Sequence, residues 1–248
     1  MPVAAHPPQG GGGEWVHLFR ADPQLAAELP AATLHAATPF VFARIRWLEA
    51  GRWAPELEPP VAGDLGLLVL DGFVVRQVRV LDRPCTELLG PGDLLRPGEP
   101  AHTEPFAAEV RWEALEPVRV AVIDRRLTTV LGRWPELVAA LVGRAVARSR
   151  ELALNLAIGQ IVGIELRVLV VLWRIAERWG AREAGGVVMP VHLPHHLLAS
   201  LAAARRPTVT RALGQLAEHG LLSRRPDGLI VLHGAPPSQF RRLQSALP

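Results

Sequence analysis

The spacing of apolar residues changes once along the chain, and the change divides it. From about Val41 to Asp124, short apolar runs (Leu67–Leu70, Val74–Val80, Val118–Ile123) alternate with turn signals. The turns are Ala62-Gly63-Asp64, Asp71-Gly72, Leu81-Asp82, Gly90-Pro91-Gly92-Asp93 and Glu116-Pro117. Within Val74–Val80 the polar residues Arg76, Gln77 and Arg79 interleave with valines, as in a strand. Many short strands joined by regular turns predict an antiparallel barrel or sandwich. Ahead of it, residues 1–13, with Pro7, Pro8 and the Gly10–Gly13 run, read as a loose tail. Asp22-Pro23 followed by Leu25, Ala26 and Leu29 predicts a short helix capped by Asp22.

After Asp124 the period becomes helical. Arg125 to Leu131 forms one short helix, and Trp134-Pro135-Glu136 opens a long one. Val138, Leu141, Ala145, Leu152, Leu156 and Gly159 recur at spacings of three, four or seven, with Arg144, Arg148 and Arg150 among the polar positions. A helix of this length cannot cover such a stripe itself. It lies along its own barrel, along a second copy, or both. The small Ala145 and Gly159 would let a second helix approach closely. A further helix runs from Glu165 to Trp179, with Arg167, Arg174 and Arg178 on one face and Leu166, Leu169, Val170, Trp173 and Ala176 on the other. Gly180 marks its stop, and Ala181 to Gly186 reads as a linker of small residues.

The segment Leu193 to Gly234 carries the sharpest pattern. A short helix, His195 to Ala202, presents Leu197, Leu198 and Leu201, and Ala202-Ala203-Ala204 makes a tight connection. A second helix starts near Arg206, with Pro207 where a missing N–H does no harm. Its Val209, Ala212, Leu213 and Leu216 form a core face. The opposite face holds Pro207, Thr210, Arg211 and Gly214, with Arg205 and Arg206 at its start and Thr208 in the first turn. Helix N-terminal amides favour phosphate, arginine presents two donors to a guanine edge, and a threonine methyl contacts thymine. Gly220 ends the helix. Ser223-Arg224-Arg225, the turn Pro226-Asp227-Gly228 and Leu229–Leu232 then predict a hairpin, a wing whose two arginines reach a sugar-phosphate backbone. The pattern is a winged helix-turn-helix. The alternative is a winged helix used for protein contacts alone.

Charge sharpens this division. All 27 basic residues are arginine. Up to Asp124 there are 10 arginines against 17 acids, and from Arg125 onward 17 against 7, so an acidic first half (−7) precedes a basic second half (+10). A basic module facing a polyanion fits. One cysteine, Cys85, excludes an internal disulfide and fits a reducing cytosol. The N-terminus carries no signal-peptide pattern, and Leu152 to Trp173, interrupted by Asn155, Gln160, Glu165 and Arg167, is not a membrane span.

Over LASLAAARRPTVTRALGQLAEHGLLSRRPDGLIVLHG, residues 198–234, the chain resembles the CRP/FNR family of bacterial regulators. DLGLLVLDGFVVRQV, ELLGPGDLL, VAVIDRRL and LVGRAVARSRELALNLAI extend a weaker likeness to the family's first barrel strands, its Pro-Gly-Asp turn, the end of its barrel and its dimerisation helix. The resemblance implies an α+β chain: an N-terminal antiparallel jelly-roll β-barrel like a cyclic-nucleotide-binding domain, a long dimerisation helix, and a C-terminal winged helix-turn-helix. The expected divisions are 1–13 tail, 14–124 sensor-like barrel, 125–162 dimerisation helices and 163–248 DNA-binding domain. Arg206 and Arg211 match the family's base-contacting arginines. Pro207 stands where many relatives have glutamate, which implies a different base preference.

The sensor departs from the family. Cyclic-AMP-binding members hold phosphate with a Gly-Glu and an Arg-Ser or Arg-Thr pair. Here Gly98-Glu99 is hemmed by Pro97 and Pro100, and Phe106-Ala107-Ala108 lies where the arginine pair would be. An apolar pair does not neutralise phosphate, so no cyclic-nucleotide binding is expected. One cysteine cannot hold an iron–sulfur cluster, and no histidine closely follows Cys85 to complete a haem site. Cys85 reads as a small buried or half-buried side chain, and Trp47, Trp53 and Trp112 as barrel core rather than ligand pocket. His192, His195 and His196 cluster, either as metal ligands or, the reading preferred, as a half-exposed helix start. No catalytic motif is present, so an enzyme is not expected.

The reading is therefore a cytoplasmic, sequence-specific DNA-binding transcription regulator, dimeric through Glu136–Ile161 on a near-palindromic site, without a predicted cofactor and with its effector unidentified. Arg205, Arg206, Pro207, Thr208, Thr210, Arg211, Arg224 and Arg225 form its DNA-binding set. Double-stranded DNA is the expected partner, with RNA polymerase a further candidate and no membrane. The alternative is an effector-binding or protein-docking module whose winged helix does not read DNA.

Overall fold

The computed structural model describes residues 13–54, 62–81, 83–97 and 108–237. The tail 1–12, the pair Gly98-Glu99 and the residues Phe106-Ala107, for which expectations are given above, lie outside them. The described residues fall into two compact units, 13–83 with 87–150, and 84–86 with 151–237.

The first unit contains two antiparallel sheets. One has the order β1-β2-β9-β4-β7, comprising Trp15–His17, Phe42–Leu48, Val118–Ile123, Gly66–Asp71 and Leu94–Leu95. The other has the order β3-β8-β5-β6, comprising Gly51–Trp53, Ala108–Ala114, Val74–Val80 and Arg83–Leu89. The apolar runs of β4 and of Val120–Ile123 in β9 have a physical reason: this sheet is covered on both faces. Leu67, Val69, Val118 and Val120 enter a core with Val74, Leu89, Trp112 and Ala114 of the second sheet. Their neighbours Leu68, Leu70, Ala121 and Ile123 face the helices, against Leu18, Leu25, Leu127, Leu137 and Leu141. A jelly-roll-like, barrel-like sandwich results, as the strand pattern requires.

Local signals behave as expected. Asp22 accepts from the Leu25 amide at 2.9 Å and caps α2 (Pro23–Ala27). Asp124 does the same for Leu127 at 2.9 Å, opening α4 (Arg125–Leu131). In the Gly90–Asp93 turn, the buried Asp93 carboxylate accepts from the Gly90 amide at 2.9 Å, and Gly92 takes φ +89°, a backbone few other residues adopt. Two further helices not anticipated, α1 (Leu18–Ala21) and α3 (Ala31–Ala37), complete the N-terminal layer.

The long helix α5 runs from Pro135 to Gly159. Its faces differ from the single stripe expected. Leu137 and Leu141 are buried, and Val138 packs beside them. Arg144 bonds to Asp22, Glu28 and the Gly92 carbonyl, and Arg148 donates to Glu87 at 3.1 and 2.8 Å. Arg144 and Arg148, polar positions of the helix, therefore face inward. Gly159 is not an open approach point either: a Cβ there would meet Ala203 at 3.6 Å. The exposed positions of α5 include Ala139, Val142, Val146, Ser149, Ala153 and Leu156, a separate stripe at alternating spacings of three and four, flanked by exposed Gly143, Ala145, Ala147, Arg150 and Leu154.

Three further expectations are corrected. Cys85 is exposed, at the solvent-facing start of β6. Trp47 is 52 % exposed, its strand position facing away from the core, while Trp112 is buried and packs edge-on against Trp53. Ala181 to Gly186 is a hairpin, not a linker: β10 (Ala181–Glu183) pairs with β11 (Gly186–Val188). Among the described residues no helix is long and apolar enough to cross a membrane.

Candidate nucleic-acid interface

The second unit holds α6 (Ile164–Trp179), α7 (His195–Leu201), α8 (Arg206–Glu218) and a four-stranded sheet ordered β10-β11-β13-β12. The strands β12 (Leu222–Arg224) and β13 (Ile230–Leu232) form the wing hairpin, turned at Gly228 with φ +86°. Burial of α6 is wider than its amphipathic pattern implied, taking in eight positions from Val168 to Ala176. Val209, Ala212, Leu213 and Leu216 of α8 are buried, and α8 packs on α6 and α7. Gly180 is the C-cap of α6, and only glycine fits there, since a Cβ would meet the Ala176 carbonyl oxygen at 2.5 Å and Val187 at 2.8 Å.

The turn between α7 and α8 is tight. Ala203 sits at φ +48°, a left-handed conformation that costs an alanine about 1–2 kcal/mol. Arg167, on the polar face of α6, holds this turn. It donates to the Ala202 and Ala203 carbonyls at 3.2 Å each and to the Ile161 carbonyl at 3.1 and 2.7 Å. Arg174 likewise bonds to Asn155 at 2.6 Å and to Glu151.

The outward face of α8 is different. Arg205, Arg206, Pro207, Thr208, Thr210, Arg211 and Gly214 are all exposed. Arg205, Arg206 and Arg211 have no ion-pair partner among the described residues. Arg205 occupies the N-cap position in extended conformation, and Pro207 lies in the first turn.

On the wing, Arg224 is exposed and donates to His195 Nε2 at 2.7 Å. Arg225 is tied down, paired with Glu183 at 3.1 Å and Asp227 at 3.1 Å. The hairpin of β10 and β11 supplies that carboxylate, a role its small-residue composition did not announce. Thr210 donates to the Arg206 carbonyl at 3.0 Å and lies 2.8 Å from His195 Nδ1. His195 thus belongs to this surface, although the sequence reading leaves it out. No spacing rule finds it, because its partners lie 15 and 29 residues away. Burial, then the charges of Arg224, Arg206 and His192, hold its pKa below the ordinary histidine value.

A family model described as a Crp-like helix-turn-helix domain matches residues 166–234. Several solved structures share the fold over most of their length. FixK2 from Bradyrhizobium japonicum is 19 % identical, covers 82 % of this chain and 96 % of its own, and gives a TM-score of 0.59. A CRP/FNR-family transcriptional regulator from Thermus thermophilus is 23 % identical, with 81 % and 96 % covered and a TM-score of 0.55. A cyclic nucleotide-binding domain containing protein from Listeria monocytogenes is 13 % identical, with 84 % and 94 % covered and a TM-score of 0.60. No curated protein sequence matches the chain. The chain shares the fold of these proteins and, over residues 166–234, matches the Crp-like helix-turn-helix domain model.

Proposed function

We propose that this chain is a sequence-specific DNA-binding transcription regulator that works as a dimer and is not gated by cyclic AMP. The observation that carries the reading is the exposed face of α8, where Arg205, Arg206 and Arg211 stand without carboxylate partners among the described residues while most other arginines of the unit are bonded. Unpaired arginines beside Thr210 and a bare Gly214 suit entry into a major groove. Arg206 and Arg211 read base edges, Arg205, Thr208 and Arg224 contact phosphates, and Arg225 joins them by exchanging Glu183 for the duplex.

The outward stripe Ala139, Val142, Val146, Ser149, Ala153 and Leu156 supports pairing of two copies along the long helix, since it repeats as the seam of a coiled coil does. Two copies on a near-palindromic site then place their α8 helices about one helical turn apart. Independence from cyclic AMP rests on the sequence, in which Phe106-Ala107-Ala108 stands where a phosphate-holding arginine pair would be.

Selection of bound duplexes from a random pool tests the reading. Enrichment of a two-fold-symmetric site supports it, and no enrichment under any ligand condition contradicts it. Val146→Glu should convert the protein to a monomer by light scattering and weaken the selected site far more than random duplex.

A further inference from the structure

Four groups from three elements of the second unit form one chain of hydrogen bonds. Arg224 on β12 lies 2.7 Å from His195 Nε2, His195 Nδ1 lies 2.8 Å from Thr210 Oγ1, and Thr210 Oγ1 lies 3.0 Å from the Arg206 carbonyl oxygen. The directions are forced. Arginine only donates, so Nε2 accepts. Nδ1 therefore bears the proton of the neutral ring and donates to Thr210 Oγ1, whose own hydrogen goes to the Arg206 carbonyl. The ring is held in one tautomer and joins the wing to the outward face of α8.

We propose that His195 is a positioning residue of the DNA interface, which as a neutral, Nδ1-protonated imidazole fixes the reach of Arg224 and the side-chain rotamer of Thr210 relative to each other. This inference rests on the DNA-binding reading. One N–H of Arg224 is used by His195, which leaves its remaining donors for phosphate in a preset direction. Thr210 is likewise held on the groove-facing surface with its hydroxyl engaged. His195 itself need not touch DNA.

The device is sensitive to acid. The titratable and charged groups facing His195 are Arg224 from the wing, Arg206 from α8 and His192 from the preceding loop. All three are basic, so the neutral ring is favoured. Protonation puts a hydrogen on Nε2 opposite a guanidinium, and the bond to Arg224 is lost. The new cation also attracts any duplex. Acid therefore tightens binding to random DNA and loosens registration on the selected site, so discrimination between them falls below the ordinary histidine range near pH 6.5.

The test has two arms, on the full-length dimer. Long-range ¹H–¹⁵N spectra of the free protein should show the His195 ring neutral at pH 7 with its proton on Nδ1. A proton on Nε2 would overturn the relay without bearing on DNA binding. The second arm measures the ratio of random-duplex to selected-duplex Kd between pH 8 and 5.5. For the wild type the ratio should fall about three- to tenfold. His195→Ala should show the reduced ratio already at pH 8. His195→Gln, whose amide both accepts and donates, should keep the high ratio and lose its acid dependence. An unchanged ratio in His195→Ala, confirmed folded by its melting curve, would overturn the inference, as would a flat wild-type profile. Failure of the wild type to enrich any duplex would instead sink the DNA-binding reading, and the tautomer would still be decided by the first arm.

Discussion

Two sets of arginines, one in each unit, have opposite fates. In the first unit Arg76, Arg144 and Arg148 turn inward onto Asp22, Glu28 and Glu87, and Glu87 is only 4 % exposed. In the second, Arg205, Arg206 and Arg211 stand outward with no ion pair among the described residues. Burial pushes the Glu87 carboxyl upward, but Arg148 and then Arg76 outweigh it and hold its pKa below the ordinary value. The same residue type thus serves as an internal clamp in one place and as a free cation in the other. A net charge tally cannot separate the two roles, whereas the pairing of each guanidinium does.

The difference predicts opposite mutant behaviour. Glu87→Ala leaves two arginines facing an uncompensated site and should destabilise the first unit by about 3–5 kcal/mol in denaturant titrations. Glu87→Gln should lose less and should also lose an acid dependence. Because the folded pKa of Glu87 is depressed, its contribution is complete above its unfolded value, near 4.3, and fades as pH falls through the lower folded one. The wild-type melting temperature should therefore drop more steeply than the variant's below about pH 4.

Arg224→Ala should act on binding, not on folding. It should weaken all duplexes alike and reduce the salt slope by about 0.9 per protomer, or about 1.8 for the dimer, read from Kd against ionic strength. A smaller effect is expected at the α7–α8 turn. Ala203→Gly relieves the left-handed backbone and should stabilise the second unit by under about 1 kcal/mol. The smallest change belongs to Arg206→Ala and Arg211→Ala in the absence of DNA, which should leave stability within about 0.5 kcal/mol. A large loss there would mean these side chains support the fold, and the contrast between the units would fail.

How much of this was legible follows from how far apart the partners lie. The α8 core face, the wing turn, the Asp22 cap and the Asp93 turn are local, and their residues read directly. The two arginine clamps are not. Arg148 meets Glu87 across 61 residues and Arg144 meets Asp22 across 122, so the sequence shows them only as polar positions on a helix. The helix α5 misled for a related reason. It is apolar on two sides, and periodicity cannot say which of two stripes meets its own barrel. Leu137 and Leu141 do, while Val142 and Val146 do not. At the interface, the exposed set from Arg205 to Arg211 was readable from the 3.6-residue period. His195 and the Glu183 partner of Arg225 were not, because a sheet and a turn bring them there.

The contrast between clamped and free arginines is tested most directly by the selected-duplex and random-duplex affinities of Arg211→Ala beside those of the wild type. A loss of about 1–3 kcal/mol on the selected duplex, with relaxed preference at one position of each half-site and little change on random DNA, is the predicted result. Equal weakening on both duplexes would show that Arg211 contributes charge alone, and that α8 does not read bases through it.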